Sequence, residues 1–448
     1  MNEKLLLEKK ISAISLGCDK NRVDLEHMLG ALKEKGFYII DDIEEAEIII
    51  VNTCAFISPA VKEAIDNILL AVHQKQNKCE KIIVTGCLNE RYLNDIKQEI
   101  PEVDAFVRIK DNDDIIKTIY ELYGIDSKDK NRDCARLLTN YSHYAYLKIA
   151  DGCNNGCAYC TIPRIRGRYR SVPMDKLIKE AKLLADMGVK ELIIVAQDIT
   201  RYAEDLDEKY DLIDLLDKLS KIKNIEWIRL HYCYPEMVNN RLLDYITNNP
   251  KICKYLDIPL QHIDNEILYN MNRNCNELQT RELIDNIKNN YPEITLRTTY
   301  IVGFPGETKK QFNKLLEFVK YSKMNNVGFF PYYREEKTKA YFMNKQVSNF
   351  TKKHRLKKIQ KAQLSVAEQI NQSKVGSIVK VLIDYFDETK GVFVGRDQNN
   401  SPQVDYNIQI VDNNNIMSGN FYDVKIIGYA NGNFEGEVVW ICQINWVY

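Results

Sequence analysis

The chain has 448 residues, more than one ordinary hydrophobic core accommodates, so we expect two or three domains. Hydrophobic residues make up 45% and charged residues 28%, as in a soluble globular protein. The formal net charge of −1 argues against whole-molecule electrostatic binding to nucleic acid or to an anionic membrane.

Neither a signal peptide nor a membrane span is expected. The start, MNEKLLLEKK, lacks the apolar run and the small-residue cleavage site of a signal peptide. No stretch approaches the ~20 apolar residues of a spanning helix. The 12 cysteines indicate metal or redox chemistry rather than disulfides. We therefore predict a cytoplasmic protein, with neither a membrane nor DNA as a partner.

Residues 11–124 alternate short apolar runs with amphipathic helical segments. The runs KISAISLGC, EIIIVNTC and KIIVTGC predict strands that end at Cys18, Cys54 and Cys87. The segments DLEHMLGALKEKG and SPAVKEAIDNILLAV predict helices between them. This β-α-β-α-β order predicts a Rossmann-like parallel sheet, and the polar stretch 125–142 predicts a linker.

From 143 to about 335 the alternation of strands and helices resumes. Six runs predict strands: HYAYLKIAD, KELIIVAQD, WIRLHY, YLDIPLQH, LRTTYIVGFP and NVGFFPYY. Helical patterns such as MDKLIKEAKLLADMG and KKQFNKLLEFVKYSK lie between them. Six β/α repeats suit a partial barrel or an open sheet, with the chemistry at the carboxyl ends of the strands.

The remainder of the chain has a different texture. Residues 351–372 predict a basic helix. From 374 onward, SIVKVLIDYFD, GVFVGRD, NIQIVD and FYDVKIIGYANGNFEGEVVW predict strands divided by Asn, Asp and Gly turns. About 75 residues of this kind suit a small all-β barrel.

Three cysteines lie close together in DGCNNGCAYCTIP, after the first strand of the second region. Cys153, Cys157 and Cys160 have the spacing C-x₃-C-x₂-C. Thiolates in such local spacing are typical of iron–sulfur clusters, and three ligands on a four-iron cubane leave one iron open for a small molecule. Gly152 and Gly156 permit the tight loop that such a site needs. The alternatives are a zinc site with a remote fourth ligand and chance spacing.

A second set of cysteines is dispersed along the chain. Cys18, Cys54 and Cys87 follow the similar contexts SLGC, VNTC and VTGC. The carboxyl ends of parallel strands meet at one edge of a sheet, with neighbours ~4.8 Å apart, so three thiolates there converge on one cluster. A single cysteine at such a position is more often a small buried hydrophobic residue, and only the three together favour a cluster.

The C-x₃-C-x₂-C motif after a first barrel strand resembles the radical S-adenosylmethionine (SAM) superfamily. The resemblance implies that Cys153, Cys157 and Cys160 hold a [4Fe-4S] cluster and that SAM binds its open iron. It also implies that an electron from the cluster cleaves SAM to a 5′-deoxyadenosyl radical.

The complete arrangement resembles the radical-SAM methylthiotransferase family over essentially the whole chain. That resemblance implies a methylthiotransferase N-terminal domain over 8–124, a radical-SAM core with a partial (β/α)₆ barrel over 139–370, and a TRAM-like β-barrel over 373–443. It further implies a second [4Fe-4S] cluster, held by the three strand-end cysteines, and an electron donor such as flavodoxin or ferredoxin.

Local motifs resemble the RimO branch of that family, which adds a methylthio group to the β-carbon of an aspartate in a small-subunit ribosomal protein near the decoding centre. SLGCDKNRVDLEHMLG resembles the signature of this branch, with Asp19 in place of the usual proline and Leu25 in place of serine. VNTCAFISPAVKEAID and GCNNGCAYCTIPRIRGRYRS also resemble it, whereas YYREEKTKA has Lys337 where the branch has glycine. The alternatives are methylthiolation of a tRNA adenosine and a non-catalytic iron–sulfur carrier.

The charge of the C-terminal region bears on the partner. Residues 374–448 hold five basic and nine acidic side chains. An RNA-binding barrel should be basic, whereas an acidic one attracts a basic ribosomal protein. A surface acidic for solubility alone is the other interpretation.

Two basic segments instead suit an anionic partner such as RNA. RIRGRYR places four arginines beside the cysteine loop, where they suit the SAM carboxylate, an acidic substrate side chain or RNA phosphate: Arg164, Arg166, Arg168 and Arg170. KKHRLKK, at 352–358, is more simply interpreted as a solvated helix face.

Further cofactor contacts are expected at the carboxyl ends of the strands. The resemblance implies Tyr159, Gln197, Gly303 and Gly306 as SAM-binding residues, with the turn VGFPGET close to the adenine. Strand-end capping is an alternative role for Gln197, as for three more candidates: Asp198, Gln261 and His262. The six other cysteines form no further spacing and are expected to be reduced structural thiols: Cys79, Cys134, Cys233, Cys253, Cys275 and Cys442.

Overall fold

The computed structural model describes residues 2–126, 135–207, 209–411, 416–430 and 432–439. It has two parallel α/β sheets and a closed β-barrel, which confirms the predicted fold class. Part of the predicted linker, 127–134, lies outside the described residues, as do Cys134, Cys442 and the end of the predicted third domain. Among the described residues, no helix is both long and apolar enough to cross a bilayer.

The N-terminal sheet has five parallel strands in the order β2-β1-β3-β4-β5. Its strands are β1 (Lys10–Ser15), β2 (Tyr38–Ile39), β3 (Ile48–Thr53), β4 (Lys81–Gly86) and β5 (Ala105–Val107). The helices are α1 (Glu3–Leu7), α2 (Asp19–Lys35), α3 (Ser58–His73), α4 (Cys87–Glu99) and α5 (Ile115–Leu122). Helices α2 and α5 cover one face and α3 and α4 the other, so the central strand β3 is buried throughout.

The predicted strands end too late in this sheet. β1 ends at Ser15, and β3 and β4 end one residue before Cys54 and Cys87. Gly17 has φ of 90°, a conformation that an extended strand does not adopt, so the chain turns there and Cys18 becomes the N-cap of α2. The cysteines therefore lie on the strand-to-helix turns at the carboxyl edge of the sheet.

The central sheet has six parallel strands in the order β13-β12-β11-β10-β9-β6. Its strands are β6 (Tyr144–Lys148), β9 (Glu191–Val195), β10 (Trp227–Leu230), β11 (Ile252–Asp257), β12 (Thr295–Val302) and β13 (Asn326–Pro331). An antiparallel ribbon of β7 (Ala150–Asp151) and β8 (Arg170–Ser171) leaves the end of β6. The helices are α6 (Ile162–Ile165), α7 (Met174–Asp186), α8 (Leu212–Ser220), α9 (Asn240–Asn248), α10 (Asn265–Asn270), α11 (Glu277–Asn290), α12 (Lys309–Ser322) and α13 (Asn349–Gln372).

Helix α13 leads out of the central part, and its basic segment is only partly solvated. Lys352 is buried, with its Nζ donating to the carbonyl of Tyr332 (2.8 Å), and Arg355 is ion-paired with Glu307 (2.7 Å). The interpretation of KKHRLKK as a solvated face is therefore wrong for these two residues.

The C-terminal part is a closed barrel with strand order β14-β15-β16-β18-β17. Its strands are β14 (Ile378–Asp387), β15 (Val392–Arg396), β16 (Ile408–Ile410), β17 (Phe421–Ala430) and β18 (Asn433–Val438). Closure leaves no free strand edge, and Ile408, Val424 and Phe434 are among the residues of the barrel core.

Several charged residues of the barrel are used to attach it to the central sheet. Arg396 is buried against Asp384 (2.9 Å) and Glu191, the first residue of β9. Asp405 accepts from the hydroxyl of Tyr255 (2.7 Å) inside the central sheet. Part of the acidic excess counted in the sequence is therefore internal and unavailable to a partner.

Two candidate metal centres

Three cysteines occupy the loop between β7 and α6, here called the loop trio: Cys153, Cys157 and Cys160. Gly152 opens the loop with φ of 79°, and a Cβ there would overlap the backbone of Arg168, so only glycine fits without strain. The amide of Cys153 donates to the carbonyl of Gly167 (3.2 Å), which ties the loop to its own return. The local backbone thus determines where this trio lies.

The sulfurs of the loop trio lie within mutual electrostatic influence. Burial raises the pKa of Cys153, and the neighbouring Cys157 raises it further. Burial and Cys157 raise the pKa of Cys160 in the same way. The hydroxyl of Tyr234 lies 3.5 Å, and the guanidinium of Arg273 3.7 Å, from the Sγ of Cys157. These contacts place a donor and a cation beside sulfur that would carry negative charge when bound to metal.

The second set of cysteines, here called the strand-end trio, follows three strands that are neighbours in the order β1-β3-β4: Cys18, Cys54 and Cys87. A Cβ at Gly17 would lie 2.5 Å from the Cβ of Cys54, so the first turn passes directly over the second. Burial raises the pKa of Cys54, and Cys18 raises it further. Burial raises the pKa of Cys87 to about 12, with Arg166 lowering it and the other two cysteines raising it. The structure therefore brings together three residues separated by long stretches of chain.

The donor chemistry of both trios fits a cubane cluster. Among the residues that the structure describes, no three His, Cys, Asp or Glu side chains are arranged around a single metal ion. A cubane makes a different demand, because each thiolate binds a separate iron atom. Each trio supplies soft thiol donors that influence one another electrostatically, and Cys153 and Cys87 are 7% and 4% exposed.

Arg166 links the two trios. It follows α6, the single turn after the loop trio, and its Nη1 bonds Asp24 of α2 (2.9 Å) and Asp151 of β7 (3.0 Å). Its Nη2 lies 3.3 Å from Asn21 Oδ1 and 4.0 Å from the Sγ of Cys87. One side chain of the loop region thus reaches into the N-terminal sheet and the strand-end trio.

Asp151, one of the two carboxylates around Arg166, stays ionised because two cations lie beside it. Lys148 bonds Asp24 and lies 3.6 Å from Asp151. Burial alone would raise the pKa of Asp151, but Lys148 and Arg166 outweigh it and lower the pKa to about 2. The arginines near the loop were predicted to bind a cofactor or substrate. Arg166 instead binds two carboxylates of the chain itself, Asp24 and Asp151. Arg164, Arg168 and Arg170 remain exposed.

Three family models match the chain, one for each structural part. The uncharacterized protein family UPF0004 matches residues 10–108, the radical SAM superfamily 147–319, and the TRAM domain 375–439. Two curated relatives carry the name ribosomal protein uS12 methylthiotransferase RimO. The protein of Thermoanaerobacter sp. (strain X514) is 42% identical over 96% of this chain and 100% of the relative. The protein of Elusimicrobium minutum is 43% identical, with the same coverage of both chains.

The chain belongs to the RimO family. Both relatives are named as methylthiotransferases, and the predicted radical-SAM methylthiotransferase is confirmed, as is the TRAM domain. The tRNA-modifying alternative and the iron–sulfur carrier find no support in these comparisons. RimO relatives act on ribosomal protein uS12, in agreement with the predicted class of substrate.

Solved structures share the fold at low sequence identity. The radical SAM methyltransferase TsrM from Kitasatospora setae, with cobalamin and a [4Fe-4S] cluster bound, has a TM-score of 0.55 at 12% identity and covers 72% of each chain. The cobalamin-dependent SAM radical enzyme OxsB, with aqua-cobalamin and SAM bound, has a TM-score of 0.50 at 11% identity, covering 82% of this chain and 57% of that one.

The four residues predicted to bind SAM fall into two places. The ring of Tyr159 lies edge-on to Phe304 at 6.5 Å, beside the turn from Gly303 (φ 74°) to Gly306 (φ 85°). Gln197 lies apart from them after β9, where its Nε2 donates to Asp151 (3.2 Å) and its buried Oε1 has no partner among the described residues. The role of these residues in binding SAM stays a prediction.

Two of the other strand-end candidates, Asp198 and His262, have internal partners. Asp198 accepts from Asn155 of the cysteine loop (3.0 Å) and from the amide of Thr200 (3.1 Å). Burial lowers the pKa of His262 to about 3, so its ring is neutral. Four of the remaining cysteines are free and buried: Cys79, Cys233, Cys253 and Cys275.

Lys337 takes the conformation that a glycine would favour. Its φ is 62°, in the left-handed region, and its carbonyl accepts from Arg164 (3.2 Å). The loop that departs from the usual pattern therefore has a left-handed residue where the branch has glycine.

Sequence reasoning missed the segment 231–234, which directly follows β10. Tyr232 lies under Lys20, and Tyr234 contacts the loop trio through Cys157. Its place in the sequence could have indicated a functional role, because it follows the carboxyl end of a central strand, as the predicted sites do. Its aromatic composition suggested only a continuation of the strand.

Proposed function

We propose that this chain adds a methylthio group to the β-carbon of an aspartate in ribosomal protein uS12. The observation that carries the proposal is the pairing of two cysteine trios across one domain boundary, with Arg166 reaching from one to the other. The near-full-length identity to relatives named for this activity supports the same conclusion.

In this proposal each trio holds one [4Fe-4S] cluster. Cys153, Cys157 and Cys160 bind the cluster that holds SAM, and Cys18, Cys54 and Cys87 bind the auxiliary cluster. When bound, the clusters and SAM supply the electron, the hydrogen abstraction and the sulfur transfer that no side chain supplies. Four of the six cysteines are buried and two, Cys18 and Cys160, are half-buried, which limits access of water and oxidants.

The chain's own residues orient the SAM molecule. The positive φ values of Gly303 and Gly306 let the backbone turn away after β12, beside Tyr159. Gln197 is held through its Nε2 by Asp151, which leaves Oε1 as an oriented acceptor for a cationic group such as the SAM amine. These assignments are part of the proposal.

The cellular setting is proposed with the activity. A ribosomal-protein substrate places the reaction in the cytoplasm, without a membrane or DNA as partner. Reduction of the clusters requires a low-potential one-electron donor such as flavodoxin or ferredoxin.

We also propose domains over 8–124, 139–370 and 373–443. The matched family segments fall inside these bounds, and helix α13 ends at Gln372, next to the third domain. Residues 440–443 lie outside the described part of the chain.

Mass spectrometry of reaction products tests the function. The reconstituted enzyme, with SAM, sulfide and a reductant, is incubated anaerobically with uS12 or with bulk tRNA. We expect the mass of one methylthio group on a uS12 peptide that contains aspartate, and unmodified tRNA. Modification of tRNA alone would contradict the proposal.

A further inference from the structure

Lys20 is a buried cation without a carboxylate partner, next to the strand-end trio. It lies in the first turn of α2, two residues after Cys18, and is 7% exposed. Its Nζ lies 3.6 Å from the centre of the Tyr232 ring. Within the described ranges, this side chain forms no hydrogen bond or ion pair. Since burying an unpaired ammonium is unfavourable, the ring alone is an incomplete environment for it.

Three nearby cations already have partners within the chain. Arg166 and Lys148 share the carboxylates of Asp24 and Asp151. Arg273, near the loop trio, donates to the carbonyl of Pro259 (2.9 Å). Lys20 differs from Arg166 and Lys148 in having a charge that no acid among the described residues neutralises by contact.

Two acids near Lys20 are engaged elsewhere. Asp19 accepts from the hydroxyl of Tyr232 (3.3 Å). Asp257 is ion-paired with Arg297 (3.2 Å). Neither carboxylate lies within 4.0 Å of the Lys20 ammonium. The space beside this ammonium and the Tyr232 ring therefore suits an anion from outside the chain.

The tyrosine beneath Lys20 belongs to a segment that also contacts the loop trio. Tyr232 has φ of 63°, a left-handed conformation rare for a bulky residue and frequent at functional sites. Two residues later, the hydroxyl of Tyr234 lies 3.5 Å from Cys157 Sγ. A ligand bound at Lys20 therefore lies beside a segment that extends from Lys20 to Cys157 of the loop trio.

We propose that Lys20 binds the side-chain carboxylate of the substrate aspartate. This inference rests on the proposed function, because it takes an aspartate as the substrate. The carboxyl carbon is bonded directly to the β-carbon, so an ion pair at Nζ positions the reacting C–H group between the trios. The same ion pair selects aspartate over asparagine, since the ammonium bonds a charged oxygen more strongly than a neutral one.

A double-mutant cycle between Lys20 and the substrate carboxylate, measured as binding affinity, tests this role. The affinity of the full-length, cluster-loaded enzyme is measured for uS12 and for uS12 with its target aspartate replaced by asparagine. The enzyme variants are Lys20→Met, which removes the charge, and Lys20→Arg, which keeps it. Lys33→Met, at an exposed position of the same helix, is the matched control. Lys20→Gln provides a second neutral variant if methionine prevents folding.

We expect Lys20→Met to weaken binding of uS12 by about tenfold to hundredfold, the effect of losing one buried charge-assisted hydrogen bond. The asparagine form should bind Lys20→Met and the unmodified enzyme equally, because the pair is already broken. Lys20→Arg should recover most of the affinity, and Lys33→Met should lose none.

Equal losses on both forms of uS12, or no loss on either, would overturn the role of Lys20 while leaving the proposed function intact. If the unmodified enzyme adds no methylthio group to uS12, the proposed function fails and the inference fails with it. Measuring that product in the same preparation separates the two results.

Discussion

The two cysteine trios present similar donor sets but are assembled in different ways. The loop trio is local, because Gly152 and the hydrogen bond from Cys153 to Gly167 determine its shape. The strand-end trio exists only when β1, β3 and β4 pair in parallel. One site therefore depends on a short loop, and the other on an entire sheet and its attachment to the central part.

Single cysteine variants should separate the two trios most strongly. We expect Cys153→Ala to abolish formation of 5′-deoxyadenosine, since the proposed SAM-binding cluster is lost. Cys54→Ala should retain SAM cleavage and lose the methylthio product. Chromatography of nucleosides and mass spectrometry of uS12 measure the two products. Loss of SAM cleavage in both variants, at normal secondary structure, would contradict independent roles.

Removing the link between the trios should have the next largest effect. Arg166→Met leaves the carboxylates of Asp24 and Asp151 with Lys148 as their remaining cationic partner. Breaking a buried pair in this way costs about 3–5 kcal/mol. Thermal unfolding should show a clearly lower Tm for Arg166→Met and little change for the exposed control Arg168→Met. Equal Tm values for these variants would refute the structural role of Arg166.

Acid should weaken the attachment of the strand-end trio through Glu180. This carboxylate of α7 bonds His27 of α2 (2.9 Å) and Arg136, which also bonds Glu26 of α2. Burial opposes ionisation, but His27 and Arg136 outweigh it and lower the pKa of Glu180 to about 2. The folded-state pKa is lowered, so ionised Glu180 stabilises the structure above about pH 4.5, by about 3 kcal/mol.

That contribution should be lost as the pH falls from about 4.5 toward 2. Urea unfolding at about pH 6 and about pH 3 measures it. Glu180→Gln should lower stability mainly at the higher pH and flatten the dependence on pH, whereas the exposed control Glu282→Gln should change neither. An unchanged pH dependence in Glu180→Gln would show that another group is responsible.

The smallest effect is expected far from both trios, on the barrel. The exposed acids of the barrel to be neutralised are Asp423, Glu435 and Glu437. Their neutralisation should slow association with basic uS12 about two- to fivefold at low salt and very little at high salt. A matched control neutralises three exposed acids of the central part: Asp186, Glu282 and Glu293. Stopped-flow binding measures both sets. A salt-independent decrease in the association rate, or the same decrease in the control, would show that the barrel does not attract uS12 electrostatically.

The alternation of strands and helices along the chain was predictable, because apolar runs and helical patterns are local properties of the sequence. The two short strands β2 and β5 of the N-terminal sheet were not predicted. The turns were predicted less well, since Gly17 ends the extended conformation before Cys18 is reached. The exact strand ends matter here, because they place Cys18 and Cys87 at helix starts rather than within strands.

Partners distant in the chain were not predictable. RIRGRYR shows four equivalent arginines, yet only Arg166 is buried, because α6 turns it toward Asp24. The acidic count of the barrel likewise included Asp384 and Asp405, whose partners lie within the protein. Composition records how many charges a region has, whereas the tertiary fold decides which of them face a partner.

Iron and sulfide analysis with Mössbauer spectroscopy counts the clusters that the two trios hold. Anaerobically reconstituted protein is compared with one variant that replaces the loop trio by alanine and another that replaces the strand-end trio. We expect two [4Fe-4S] clusters in the unmodified protein. Each variant should keep one cluster, held by the trio that was not replaced. Full iron content in either variant, or a single cluster in the unmodified protein, would contradict this expectation.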